Sequence, residues 1–169
     1  IESEVRLNDR LSMVANDGFD LAVRHPGSPP ENYMAWPLWA TLSFLVARRD
    51  YLRRRGTPQH PTDLAEHDCL PYLRGKALQH EWVLEKVNSD GDEANVLVPV
   101  RGPLKTNNSE AIRAAAVAGL GIALLPDFSV INSEPELQPL VQVLPDWRVR
   151  GFFGEQIYAL RPWAPQVPR

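Results

Sequence analysis

Two spacings of hydrophobic residues, one helical and one alternating, place most of the elements along this chain. Leu11, Val14 and Ala15 share a helical face that stops at Gly18, and Phe19, Leu21 and Val23 then alternate as a short strand. The opening "EVRLN" reads as a strand entered halfway, which predicts that the chain is a piece of a longer protein. "HPGSPPENYMAWP" contains four prolines, which remove backbone donors and fix φ, and predicts an irregular loop on the rim. An apolar, β-prone run over 38–46 turns basic and helical over 48–55, with a break near Ala47 and a stop at Gly56.

Further on, Thr62 is placed to cap a second helix just after Pro61, and a short strand runs through Cys69, Leu70 and Tyr72. "HEWVLEK" and "EANVLVPVRGPLKT" flank "VNSDGDE", whose Asp-Gly pair marks the turn of an antiparallel hairpin. Then comes "KTNNSEAIRAAAVAGLGIALLPDF". It reads as a helix over 109–118, a strand over 121–125 closed by Pro126, and a short helix over 127–132. Strands near 140–143 and 156–160 follow, and "APQVPR" would begin a last helix. Strands alternating with helices of this length predict an α/β chain whose sheet is largely parallel, made mixed by the one hairpin.

Composition narrows the function. With 44% hydrophobic and 23% charged residues among 169, the chain can bury a core, and a formal net charge of -3 supplies no general attraction to polyanions. The single cysteine, Cys69, excludes an intrachain disulfide or a multi-cysteine zinc site and suits core packing in a reducing compartment. No apolar run approaches a membrane span and no signal peptide is visible, so a cytoplasmic protein without membrane contact is expected. His25, His60, His67 and His80 show no metal-ligand spacing. No nucleophile elbow, cysteine–histidine pair or carboxylate pair stands out, so neither an enzyme, a metal nor a cofactor is expected. The basic run "RRDYLRRR" is read as a solvated helix face.

In α/β sheets ligands lie beyond the carboxyl ends of strands, beside helix N-termini. That rule selects Arg24 and His25 after "FDLAV", and Thr106, Asn107 and Asn108 after "RGPLK". Either asparagine can cap the helix that follows, and the pair offers more donors and acceptors than a cap needs, so capping and ligand contact both stand. Gly119 sits where a helix end wants a left-handed residue, and Gly121 allows close packing at the strand entry. The glycines therefore build a tight return and not a phosphate cradle.

"GFDLAVR", "VARRDYLRRRGTPQHPTDLAEHDCL", "TNNSEAIRAAAVAGLGIALLPDF" and "IYALRP", in this order, resemble the effector-binding domain of LysR-type transcriptional regulators across nearly the whole chain. The resemblance implies a type 2 periplasmic-binding-protein-like fold truncated at both ends, with two α/β lobes joined by crossovers at "LSFLVA" and "QIYAL". Lobe one would take 1–37 and 149–169, and lobe two 38–148. It implies a small-molecule effector in the cleft, a small carboxylate or polar metabolite, and the fork of Arg24 could hold a carboxylate by two parallel bonds. It also implies a homodimer or tetramer, and DNA contact only through an N-terminal winged helix-turn-helix not in this chain. The family's first strand and long helix are missing from the pattern, and "RHPG" lacks the glycine often found after the position of His25. A solute-binding protein of a transport system is the alternative on the same fold.

Overall fold

The computed structural model describes residues 4–5, 19–26, 28–74, 77–78, 80–87, 95–131, 140–150 and 153–162. The helix read near Leu11, most of "EVRLN", the hairpin turn beyond Val87 and the final helix lie outside them. Twelve strands are named: β1 (Ala22–Arg24), β2 (Tyr33–Ala40), β3 (Ser43–Arg48), β4 (Cys69–Leu70), β5 (Leu73–Arg74), β6 (Ala77–Leu78), β7 (Glu81–Lys86), β8 (Val96–Pro99), β9 (Ile122–Pro126), β10 (Leu140–Val143), β11 (Trp147–Arg150) and β12 (Gln156–Pro162). The helices are α1 (Arg49–Arg55), α2 (Ser109–Val117) and α3 (Asp127–Ile131), with a 3₁₀ helix at Pro61–Glu66.

The centre is a four-stranded sheet in the order β10-β3-β9-β4. All five residues of β9, Ile-Ala-Leu-Leu-Pro, are buried, because both faces of the strand are covered. Ile122 and Leu124 point into one cluster with Leu45, Ala47, Tyr51, Leu64, Trp82 and Val98. Ala123 and Leu125 point into the other with Val46, Leu70, Ile112, Ala115 and Ala116. The period of two therefore deals β3 and β9 side chains alternately to α2 on one side and to α1, the 3₁₀ helix and the β11-β7-β8 sheet on the other. Ile112, Ala115 and Ala116 form the buried stripe of α2, and the small alanines let it lie close to the sheet.

A second, three-stranded sheet has the order β1-β12-β2, all antiparallel. β2 contradicts the irregular loop expected at "HPGSPPENYMAWP", since pairing with β12 already begins at Tyr33 and runs through Pro37. The proline fits because β2 is an edge strand and because the register slips beside it: Pro37 faces Tyr158, Trp39 faces Ile157, and Leu38 is the extra residue. The run expected over 38–46 is likewise two strands, interrupted at Thr41 and Leu42. Beyond that break the chain exchanges β12 for β9 and β10 as partners. The return passage follows β11 and enters β12 after Glu155.

The expected largely parallel sheet is also corrected. Among the described strands only β4 and β9 pair in parallel, with one isolated parallel bridge between Tyr72 and Thr106. β3 enters the central sheet from the other sheet and so runs against β9, and β10 returns against β3. The β7 and β8 hairpin is present as expected, and β11 adds a third strand to it.

Local chemistry fixes the ends. The cap of the 3₁₀ helix is His60 and not Thr62: Asp63 reaches back to the His60 N–H while the His60 ring accepts from the Thr62 N–H. Gly56 and Gly119 stop their helices with positive φ, 88° and 77°, which glycine adopts without steric cost. At the end of α2 the Gly119 N–H bonds the Ala116 carbonyl and the Leu120 N–H bonds the Ala115 carbonyl, the two bonds of a Schellman motif. Two guanidinium groups of the basic run complete it, Arg48 donating to the Val117 carbonyl at 3.0 Å and Arg54 to the Gly119 carbonyl at 3.4 Å. Part of "RRDYLRRR" thus neutralises the negative end of α2. Among the described residues no helix is long and apolar enough to cross a membrane, and no three His, Cys, Asp or Glu side chains gather as metal ligands.

Candidate functional site

Arg24 ends β1 opposite Tyr158, half-buried, and His25 leaves the sheet directly after it. The His25 ring is fixed on three sides. Its Nε2–H donates to the Gly154 carbonyl at 2.6 Å, its face stacks on Phe153 at 5.5 Å and 6°, and Phe128 meets it edge-on at 5.8 Å. Burial lowers its pKa below the usual histidine value, against smaller raising effects from the Gly154 carbonyl and the Asp127 charge. The neutral ring, with Nε2–H committed to Gly154, presents Nδ1 as an acceptor.

The other half comes from the segments that lead into β5 and α2. Thr106 lies beside Tyr72 through the parallel bridge, its carbonyl accepts from the Leu73 N–H at 2.8 Å, and its hydroxyl oxygen accepts from the Asn108 N–H at 3.2 Å. Asn108 is the cap of α2: its Oδ1 accepts from the Ala111 N–H at 2.8 Å. Asn107, exposed, sits between them. Tyr72 turns edge-on to Phe153 at 5.9 Å, and Phe153 carries the contact on to His25.

The structure thus links the two expected groups, Arg24 with His25 and Thr106 with the asparagines, through an aromatic seam of Tyr72, Phe153, His25 and Phe128. Sequence reading missed Tyr72, Phe128 and Phe153, and the only hint was that "PDF" and "GFFG" stand where strands end. Chemically the seam offers flat apolar faces and an imidazole, with the Thr106 hydroxyl joined to it through the Tyr72 bridge. Cys69 adds nothing to it, being buried with its thiol pushed up to about 12 by desolvation.

A family model described as the LysR substrate binding domain matches residues 1–162. The chain belongs to the LysR substrate-binding domain family. An uncharacterized HTH-type transcriptional regulator of Haemophilus influenzae is 28% identical to this LysR domain over 96% of the chain and 54% of that protein. The HTH-type transcriptional regulator DmlR of Escherichia coli is 32% identical over 87% of the chain and 46% of that protein. Among solved structures, the full-length virulence activator AphB of Vibrio cholerae superposes with a TM-score of 0.74 at 27% identity, covering 95% of this chain and 51% of AphB. This LysR domain spans about half the length of the curated relatives it matches. The periplasmic-binding-protein-like α/β fold that the motifs imply is the fold of these regulatory domains.

Proposed function

We propose that this LysR domain is the effector-sensing part of a DNA-binding transcription regulator and takes a small polar molecule, a carboxylate by preference, between two lobes. One observation carries the reading: His25, at the end of β1 beside Arg24, packs through Phe153 and Phe128 against segments that lead from Tyr72 to Thr106 and α2. Lobe one is 1–37 with 149–169 and lobe two 38–148, and the exchange of strand partners at Thr41 supports a division close to those limits. The effector acts by favouring one lobe arrangement, which changes how a dimer or tetramer presents its winged helix-turn-helix domains to DNA. This needs no catalysis and no cofactor, and it places the protein in the cytoplasm. The relatives named above are regulators, which favours sensing over transport.

A thermal-shift screen of small carboxylic acids tests it. A ligand at a hundred times its dissociation constant stabilises by about 2.7 kcal/mol, roughly 5–11 °C for a chain of this size. Arg24→Ala should abolish the shift of a carboxylate hit while leaving the unliganded melting point in place. A variant that melts lower yet still responds would assign Arg24 to the fold and remove it from the site.

A further inference from the structure

The chain passes between the β1-β12-β2 sheet and the remaining sheets twice, and the first passage carries more bonding than strand pairing supplies. β2 follows β12 as far as Ala40 opposite Gln156, and β3 takes up β9 from Ser43 opposite Pro126. Thr41 and Leu42 lie between these ladders. The Thr41 N–H donates to the Glu155 carbonyl at 2.9 Å, which ties the two passages together, and the Asp127 N–H donates to the Leu42 carbonyl at 2.8 Å. The Asp127 side chain then adds three bonds. Its Oδ1 accepts from the Thr41 hydroxyl at 2.5 Å and from the Phe128 N–H at 2.8 Å, and its Oδ2 accepts from the Leu42 N–H at 3.2 Å.

Three donors converging on one side chain require an acceptor-only group with two oxygens, which a carboxylate is and an amide is not. Thr41 is 2% exposed, so water cannot replace Asp127; the other acceptor near its hydroxyl is the Leu42 carbonyl, at 3.5 Å. Asp127 follows β9 without a gap and is therefore fixed to the central sheet, whereas Thr41 is fixed through Glu155 to the other. The residue after Asp127 is Phe128, whose ring meets His25. Two neighbouring residues thus touch the passage with a carboxylate and the candidate effector site with a ring.

We propose that Asp127 is the positioning residue that couples the effector site to lobe arrangement: its carboxylate clasps Thr41 and Leu42, and a displacement of Phe128 by a ligand reaches the passage through it. The proposal rests on the two-lobe reading above, and its test needs no effector. Nitroxide labels on Glu31→Cys and Thr57→Cys, both exposed and on opposite sides of the passage, report the spacing of the two halves in the full chain, while the buried Cys69 stays unlabelled. The parent should give one narrow distance distribution. Thr41→Val, which puts a methyl in place of the hydroxyl, and Asp127→Asn should each at least double its width or move its centre, and Thr41→Ser should restore it. Should Asp127→Asn lose its near-ultraviolet circular dichroism, the threonine pair decides alone. Distributions for Thr41→Val that coincide with the parent, or equal broadening by valine and serine, overturn the clasp. Failure of the effector reading is separate: no carboxylate shifts the melting point, yet the distribution still depends on Thr41 and Asp127.

Discussion

Gly119 and Gly121 stand two residues apart and resist substitution for different physical reasons, which a short variant series can separate. At Gly119 the backbone is left-handed, φ 77°, but a Cβ would meet only the Arg48 Cδ at 3.6 Å and the Arg54 Nη2 at 3.7 Å, which is ordinary contact. The cost of Gly119→Ala is therefore conformational, about 1–2 kcal/mol. Asparagine, which tolerates this region, should cost less, and valine, β-branched, more. At Gly121 the backbone is ordinary, but a Cβ would sit 2.1 Å from the Asp68 carbonyl oxygen. That oxygen accepts the Ile122 N–H at 2.8 Å at the start of the parallel β4 and β9 pairing. Relief would require β4 and β9 to separate in the middle of the core, so Gly121→Ala should cost about 3 kcal/mol or more, at or beyond the upper end of ordinary overpacking.

Urea unfolding of the full chain reads the difference. With a slope of about 2 kcal/mol per molar, Gly119→Ala should lower the midpoint by about 0.5–1 M and Gly121→Ala by about 1.5 M or more. The order of midpoints should run Gly121→Ala lowest, then Gly119→Val, Gly119→Ala and Gly119→Asn. A Gly119→Asn midpoint equal to that of Gly119→Val would refute the left-handed account, and a Gly121→Ala midpoint at the parent value would refute the steric one.

Asn108→Ala should lower stability by about 1 kcal/mol through loss of the α2 cap while Asn107→Ala leaves it unchanged, as denaturant melts of the two will show. The pH dependence has a defined sign. Burial, then the Arg55 charge, holds the pKa of His67 below its usual value while Tyr51 bonds its Nδ1 at 3.1 Å. The associated stability is present in full above the unfolded value of about 6.5 and is lost as the pH falls through the folded value. Urea midpoints should therefore begin to fall once the pH drops below about 6.5, and His67→Gln should flatten that slope; an unchanged slope would exonerate His67. The thiol of Cys69, raised to about 12 and buried, should resist iodoacetamide in the native chain and react once urea unfolds it, and fast native labelling would contradict its burial.

The elements legible in the sequence are those whose own surroundings are complete within a few residues. β9 reads as a buried strand because five successive apolar residues need cover on both faces, and α2 reads from its cap, its alanines and Gly119. β2 was illegible for the opposite reason. "YMAWPLWA" has no alternation to read, and its proline is tolerated only because β12 supplies an edge position and a register slip from more than a hundred residues away. β11 is hidden likewise, as "WRVR" becomes a strand by pairing with β7 on the hairpin. The parallel reading failed because strand direction is set by where the chain enters a sheet, and β3 enters the central sheet from the other one.

The same distinction divides the candidate site. The two asparagines and Thr106 stood out in the sequence, yet most of what they visibly do is local: the Asn108 oxygen caps α2 and the Thr106 hydroxyl steadies the Asn108 N–H, the ordinary competition of short polar side chains for nearby backbone. The groups that join the halves of the site are rings at positions 72, 128 and 153, and a ring carries no spacing signature of its own. Each is brought to the seam by a backbone event in another segment. Tyr72 comes by its bridge to Thr106, Phe128 by the start of α3 straight after β9, and Phe153 by the residue following it, whose carbonyl receives the His25 N–H. Polar residues at a helix start could thus be found from the sequence because their first partners are two or three residues away. The seam could not, because it exists only once two sheets have been registered against each other, and the carboxylate of Asp127 at Thr41 belongs to that registration as much as the rings do.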